Sequence, residues 1–180
     1  MTAALNQFWA EGFKGTSVDA LVDCTGLNKH SLYQAFGGKT GLFLQVLERY
    51  LSCYAKGYLA IFAQQHGFAA LSGYFHAVTS QIEPRGCLVL NTAMELGDSD
   101  PDCLRLLTNY YSNLTDCLAT AIEEGQHEGN IRAELDPGDT AVWLVRALQG
   151  LAVGSRLGSE QKTNANSILA LLATPGAVAP

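Results

Sequence analysis

The sequence predicts an all-α fold of about nine helices, and three observations support this class. Apolar residues recur at spacings of three and four along most of the 180 residues, which is the pattern of amphipathic helices. Recognisable helix start and stop signals separate these stretches. No stretch alternates apolar and polar residues in the manner of half-buried strands.

The composition is that of an ordinary folded protein, with 48% hydrophobic and 16% charged residues, so a disordered chain is excluded. There is no run of 18 apolar residues and no basic segment followed by an apolar one. We therefore expect no membrane span, no membrane partner and a cytoplasmic location. The five cysteines are odd in number and lack a CxxC pair, so they are predicted to be free thiols.

The first helix is expected over residues 2–13, and its predicted buried face is formed by Ala4, Leu5, Phe8 and Trp9.

Residues 16–36 predict two short helices joined by a tight turn. Thr16 followed by Asp19 resembles a capping box, so the first of these helices should begin at Ser17. Gly26 stands where that helix must end, and glycine readily takes the left-handed conformation that such an end requires.

The second of the two helices is predicted to begin after Asn28, which can cap it. Leu32 and Phe36, one turn apart, are expected to face inward. The opposite side is rich in hydrogen-bond donors, namely Lys29, His30, Ser31, Tyr33 and Gln34. A short helix with an apolar back and a donor-rich front suits insertion into a DNA major groove.

A family resemblance covers roughly residues 2–55 and includes the helices on both sides of the turn. The residues that carry it are Phe8, Gly12, Phe13, Thr16, Ser17, Val18, Leu21, Gly26, Leu27, Ser31, Leu32, Tyr33, Phe36, Lys39, Leu42 and Phe43. In this order they resemble the TetR/AcrR family of bacterial transcriptional regulators. The resemblance implies a three-helix helix-turn-helix DNA-binding domain over residues 1–40 and a helical effector-binding and dimerisation domain over residues 41–180.

The chain after residue 38 predicts further helices. One begins at Lys39 and continues to about Phe62, and by resemblance its first part connects the two domains. Later helices are expected over residues 68–82, 87–96, 101–128 and 137–157, the last two with an aspartate cap before a proline. The helix 87–96 is nearly all apolar and is expected to be buried, and Leu104 begins an apolar stripe along the helix 101–128. Ser159 is expected to cap a final helix that ends before Pro175.

Eight residues are the candidates for contact with a double-stranded DNA operator: Ser17, Asn28, Lys29, His30, Ser31, Tyr33, Gln34 and Lys39. Lys29, His30 and Gln34 are placed for base edges, where lysine pairs naturally with guanine and glutamine with adenine. Tyr33 and Lys39 are placed for phosphates. Residues 1–56 have a net charge of only +1, against −7 for residues 57–180, so affinity should depend on a few placed contacts and on two copies of the domain.

Three glycines, Gly150, Gly154 and Gly158, recur four residues apart. Glycine costs about 1 kcal/mol in a helix interior, so a close approach of another backbone is expected, either within one subunit or between two. The family resemblance favours a homodimer built from the last two helices. The residues predicted at that interface are Gly150, Gly154, Gly158, Ile168 and Leu172.

The resemblance also implies a cavity for a small-molecule effector that releases the DNA. The residues predicted to line it are Phe75, Cys87, Asn91, Met94, Tyr110, Tyr111, Trp143 and Arg146. Asn91 and Arg146 are polar groups on otherwise apolar helices and could orient a ligand. The alternative is that these aromatic and methionine side chains form plain core.

The sequence thus predicts a repressor that an effector releases from a palindromic operator. One alternative is a thiol-based oxidant or electrophile sensor through Cys87, because Arg85 and a helix N-terminus would lower the thiol pKa. The more usual role for such a cysteine is that of a small buried hydrophobe. Another alternative is a helical interaction module or enzyme that has lost DNA binding. No catalytic residue, metal site or cofactor is expected, so enzymatic activity is not predicted.

Overall fold

The computed structural model describes residues 1–81, 85–97, 99–158 and 161–175, with the backbone alone at 161–164. Over these residues the chain is helical apart from turns and one isolated antiparallel bridge between Ile131 and Ala173. The prediction of an all-α fold is confirmed.

The helices are α1 (Thr2–Gly15), α2 (Val18–Thr25), α3 (Lys29–Phe36), α4 (Lys39–Tyr50), α5 (Lys56–Leu59), α6 (Ile61–Gln64), α7 (Gly67–Gln81), α8 (Leu88–Leu96), α9 (Pro101–His127), α10 (Pro137–Arg156) and α11 (Gln161–Leu172). A π-helical turn at Leu51–Ala55 joins α4 to α5. When residues 39–64 are taken as one interrupted helix, the described parts of the chain contain nine helices, which agrees with the predicted number.

The chain divides into two compact units. The N-terminal unit comprises Met1–Ala55 and Cys87–Thr108, and the C-terminal unit comprises the described residues of Lys56–Gly86 and Asn109–Pro180. Residues 87–108 therefore pack with the N-terminal helices, although they lie in the middle of the chain. A functional boundary at residue 40 stays a prediction.

The core of the N-terminal unit forms where α1 packs against α2, α4 and α8. The predicted buried face of α1 is confirmed, because Ala4, Leu5, Phe8 and Trp9 are all less than 10% exposed. Phe8 meets Phe43 edge to face, with ring centroids 4.9 Å apart. Burial of each large apolar side chain stabilises the unit by about 1.5–3 kcal/mol.

The core of the C-terminal unit is built from α7, α9, α10 and α11. Its fully or nearly fully buried residues are Ala70, Leu71, Tyr74, Phe75, Leu114, Leu118, Ala121, Ile122, Ile131, Ala141, Leu144, Val145, Ala165, Leu169 and Leu172. The predicted aspartate cap of α10 is confirmed, since the Asp139 N–H donates to Asp136 Oδ1 at 2.8 Å.

Two expectations about burial are wrong. The apolar composition of 87–96 predicted a fully buried helix, but Met94 on α8 is 76% exposed. Leu104 on the predicted apolar stripe of α9 is 49% exposed. The principal packing partners of α8 are α1 and α4. The side of α8 that faces away from these two helices is therefore exposed to solvent. The predicted cap at Ser159 lies outside the described residues, as does the Ile82 end of the helix predicted over 68–82.

No helix in the described ranges combines the length and the apolar character needed to cross a bilayer.

Candidate nucleic-acid interface

The start of α2 is capped by Ser17. Its backbone is extended, and its hydroxyl accepts a hydrogen bond from the Ala20 N–H at 3.0 Å. The capping box predicted at Thr16 is therefore wrong by one residue. Thr16 is fully buried and its hydroxyl donates to the Gly12 carbonyl at 2.7 Å, so it is turned toward the preceding helix and away from α2.

The turn between α2 and α3 follows the prediction. Gly26 has φ 71°, a left-handed conformation, and its N–H donates to the Val22 carbonyl at 2.9 Å. Two residues later, Asn28 Oδ1 accepts from the Ser31 N–H at 2.8 Å and caps α3. Because each bond spans three or four residues, the sequence of the turn is sufficient to set its geometry.

The two sides of α3 differ as the pattern predicted. Leu32 is fully buried beneath the helix. On the other side, Tyr33 is 56% exposed, and Lys29, His30 and Gln34 are exposed as well. The exposed side thus offers an ammonium, an imidazole, a phenol and an amide, which are groups that hydrogen-bond to base edges or phosphates.

The exposed ammonium of Lys29 has an acidic neighbour. The Lys29 ammonium lies 2.6 Å from the Asp19 carboxylate on α2, and both side chains are largely exposed. Asp19, through its hydrogen bond and its charge, raises the pKa of Lys29 above the usual value. The predicted base contact of Lys29 therefore requires it to leave or share this ion pair.

Lys39 has a structural role that the sequence did not reveal. Its Nζ donates to the Thr16 carbonyl at 2.7 Å and lies 4.3 Å from the centre of the Phe13 ring. The side chain therefore ties the start of α4 to the chain just before α2. An ammonium has three donors, so a phosphate contact, as predicted, would add to this role.

The charge imbalance between the two ends of the sequence does not carry over to the compact units. Counted over the sequence, residues 1–55 with 87–108 contain five Lys or Arg and eight Asp or Glu, and residues 56–86 with 109–180 contain six and nine, so each set has a net charge of −3. The exposed polar side of α3 is therefore not part of a broadly basic unit.

The eight candidate ligand residues are divided between the units. Cys87, Asn91 and Met94 belong to the N-terminal unit, and Phe75, Tyr110, Tyr111, Trp143 and Arg146 belong to the C-terminal unit. Phe75 is fully buried, whereas Trp143 is 45% exposed. A cavity of about 210 Å³ in the C-terminal unit is lined by none of the eight; its lining residues are Phe62, Gln65, Asp116, Cys117, Thr120, Ala121 and Glu124.

The pKa of the Cys87 thiol is shifted in the direction opposite to the one that the thiol-sensor alternative requires. Burial is the largest influence and raises the pKa of Cys87 above its ordinary value, outweighing the backbone N–H groups of Leu90 and Val89 and the Tyr50 hydroxyl. A helix N-terminus does donate to the sulfur, but loss of hydration dominates. This shift favours the interpretation of Cys87 as a small hydrophobe over that of a sensor thiol.

The residues predicted at a dimer interface occupy different environments. Gly150 lies on the exposed side of α10, and a Cβ there would meet no described atom within 4 Å outside its own helix. Gly158 lies beyond the end of α10 and has φ 75°, so the three glycines do not share one helix. Leu172 is 2% exposed within the core, while Ile168 is partly buried against it.

The structure shows an exposed apolar side of α10 that the sequence analysis did not predict. Val142, Trp143, Val153 and Leu157, just after the helix end, are each 45% or more exposed. Their spacing places them near Gly150 on the helix surface. The signal was present in the sequence, but periodicity alone does not separate this stripe from the buried one formed by Leu144 and Val145.

Comparison with known proteins supports the resemblance to TetR-type regulators over most of the chain. Residues 1–46 match the family described as bacterial regulatory proteins of the tetR family. Residues 68–170 match the tetracyclin repressor-like C-terminal domain. The transcriptional repressor ComR of Escherichia coli K12 is 30% identical over 162 residues, which are 87% of this chain and 77% of ComR. The repressor DhaR of Mycobacterium sp. strain GP1 is 28% identical over 79% of this chain and 73% of DhaR.

Solved structures show the same fold. Reduced NemR of E. coli superposes with a TM-score of 0.80 at 18% identity, covering 98% of both chains. A cysteine mutant of CifR, bound to 26-bp double-strand operator DNA, has a TM-score of 0.78 at 21% identity over 94% of this chain and 93% of CifR.

These matches confirm the prediction of a DNA-binding regulator. The chain belongs to the TetR family of helix-turn-helix transcriptional regulators.

Proposed function

We propose that the protein is a homodimeric, cytoplasmic repressor that binds a palindromic operator through two copies of α3. The observation that carries this proposal is the exposed side of α3, where Lys29, His30, Tyr33 and Gln34 stand over a helix anchored by the buried Leu32. A capped and anchored helix can enter a major groove without rearrangement.

Base edges are the natural targets of Lys29, His30 and Gln34, while Tyr33 and Lys39 contact phosphates. Ser17, Asn28 and Ser31 contribute mainly through the caps that fix the helix ends, since their side chains or amides are already paired there. Phosphate contacts set the register on the duplex, and base contacts select the sequence.

A second copy of this chain supplies the other recognition helix. The exposed apolar side of α10, formed by Val142, Trp143 and Val153 around Gly150, is suited to pair with its symmetry mate because glycine lets two helices approach closely. Ile168 on α11 can extend this surface. A two-fold dimer spaces the recognition helices for half-sites about one DNA turn apart.

Release by a small molecule completes the proposal. An effector that binds the C-terminal region lowers operator affinity only if it binds the released state more tightly than the DNA-bound state. The segment that runs from α4 through the π-helical turn at Leu51–Ala55 is the first of three places where the chain passes from one unit to the other, the others being at residues 86–87 and 108–109. A change in the direction of this segment is the expected link.

The dimer surface is tested with Val153→Asp, which places a charge on the exposed apolar side of α10. We expect sedimentation of the wild type as a dimer and of this variant as a folded monomer with operator affinity weakened by at least about 100-fold, since one half-site remains. Ser80→Asp, at an exposed position on α7, is the matched control. A dimeric Val153→Asp protein with wild-type affinity would contradict this assignment of the interface.

A further inference from the structure

The chain bends at Gly12, within the last turn of α1. Its backbone has φ 74° and ψ 174°, which interrupts the helix near the end of α1. An L side chain is strained at this φ. Space is also lacking, because a Cβ at Gly12 would collide with the carboxylate of Glu95.

Glu95 reaches this point from α8. Its Oε2 accepts a hydrogen bond from the Phe13 N–H at 2.6 Å, a contact between residues 82 positions apart. A carboxylate that accepts from a backbone N–H forms a charge-assisted bond, which is stronger than one between neutral groups. The bend at Gly12 and the position of α8 are thus joined by one side chain.

Other elements hold the same short corner, residues 12–16. Lys39 of α4 donates to the Thr16 carbonyl at 2.7 Å, and the Thr16 hydroxyl donates back to the Gly12 carbonyl at 2.7 Å. The Phe13 ring packs on Phe43, with centroids 5.1 Å apart. Ser17, the cap of α2, follows immediately. The direction of this corner therefore sets the direction in which α2 leaves it.

We propose that Glu95 is a positioning residue for operator binding. Its carboxylate fixes the bend at Gly12 and, through residues 12–16, the angle at which α2 and α3 are presented to DNA. Glu95 lies within the sequence matched by the C-terminal family domain, 68–170, but belongs to the compact unit that contains the helix-turn-helix. The inference rests on the proposed operator binding by α3.

Three variants of the full-length protein test this role. Glu95→Ala removes the acceptor. Glu95→Asp keeps the charge, but its shorter side chain holds the carboxylate back from the Phe13 N–H. Glu95→Gln keeps an acceptor oxygen at the original reach. Glu48→Ala and Glu48→Gln, at an exposed acid on α4, are matched controls.

The main readout is the ratio of the affinity for operator to that for a random duplex, measured well below the unfolding temperature. Loss of the bond should lower this ratio about tenfold in Glu95→Ala and Glu95→Asp. Random-duplex affinity should change less than twofold, and Glu95→Gln should recover most of the ratio. The Phe13 amide resonance in ¹⁵N–¹H spectra should shift in the alanine and aspartate variants and not in the controls.

The outcomes separate this inference from the proposed function. A wild-type protein that selects no operator overturns both. A wild-type protein that binds operator, with an unchanged ratio in Glu95→Ala despite a shifted Phe13 amide, overturns the positioning role alone. If Glu95→Ala does not fold, Glu95→Asp decides, and a wild-type ratio in that variant overturns the role.

Discussion

The helix-turn-helix, residues 16–38, and the segment 87–108 belong to the same compact unit but are stabilised differently. In the first region the ends of the short helices are set by bonds three or four residues long, as in the Ser17 and Asn28 caps and the Gly26 turn. In the second, Glu95 pairs with Phe13 and Cys87 with Tyr50. The second region also contains short-range bonds, in which the Thr92 hydroxyl donates to the Leu88 carbonyl and the Cys103 N–H donates to Asp100. Glu95 and Cys87 nevertheless contact residues from distant parts of the chain.

This difference explains what the sequence could predict. Gly26, Asn28 and Leu32 were placed correctly because capping and periodicity are local properties. The Thr16 box failed because the Thr16 hydroxyl is buried and donates to the Gly12 carbonyl, so it is turned away from α2, and Ser17 caps α2 in its place. The sequence left two interpretations of Cys87 open because the pKa of its thiol depends on packing that only the folded chain defines.

The largest expected difference between the regions is in thiol reactivity. Burial, followed by the charge of Asp100, raises the pKa of Cys103 to about 12 from an ordinary 9.0, which leaves roughly 1,000-fold less thiolate near neutral pH. Cys24, by contrast, is exposed on α2, and Cys53 is exposed as well. Alkylation at pH 8, followed by peptide mapping, should modify Cys24 and Cys53 first and leave Cys87 and Cys103 protected.

In denaturant all five cysteines should react at similar rates, which is the control for that experiment. Rapid modification of Cys87 in the folded protein would contradict the account and restore the thiol-sensor alternative.

The next effect concerns base readout by α3. Gln34→Ala should reduce discrimination for the preferred base by about 1–3 kcal/mol with little change in stability, because the side chain is exposed. Competition binding with operators substituted at single base pairs measures this. Gln81→Ala, an exposed glutamine at the end of α7, should have no effect. If the wild type and Gln34→Ala discriminate equally between base pairs, Gln34 does not contact a base edge.

A smaller effect is expected from the local caps. Asn28→Ala and Asp136→Ala each remove a side chain that accepts from a backbone N–H at 2.8 Å, so each should lower the free energy of unfolding by about 1 kcal/mol. Urea titration measures this. Only Asn28→Ala should also weaken operator binding, and an equal loss of affinity in Asp136→Ala would show that general instability is responsible.

The smallest effect is expected from the ion pair between Asp19 and Lys29. Since both side chains are largely exposed, Asp19→Asn should hardly change stability. The freed charge of Lys29 should steepen the dependence of log K on log salt by about one for random duplexes. Asp23→Asn, an exposed acid on the same helix, serves as the control. Parallel salt slopes for Asp19→Asn and the wild type would mean that Lys29 does not approach DNA.

Selection from random DNA tests the central claim most directly. The full-length protein is mixed with random duplexes, and the bound pool is sequenced at two salt concentrations. We expect a palindrome with half-sites about one helical turn apart, bound more weakly as salt rises. Enrichment of no sequence, or of single half-sites without two-fold symmetry, would contradict a dimeric repressor that reads DNA through α3.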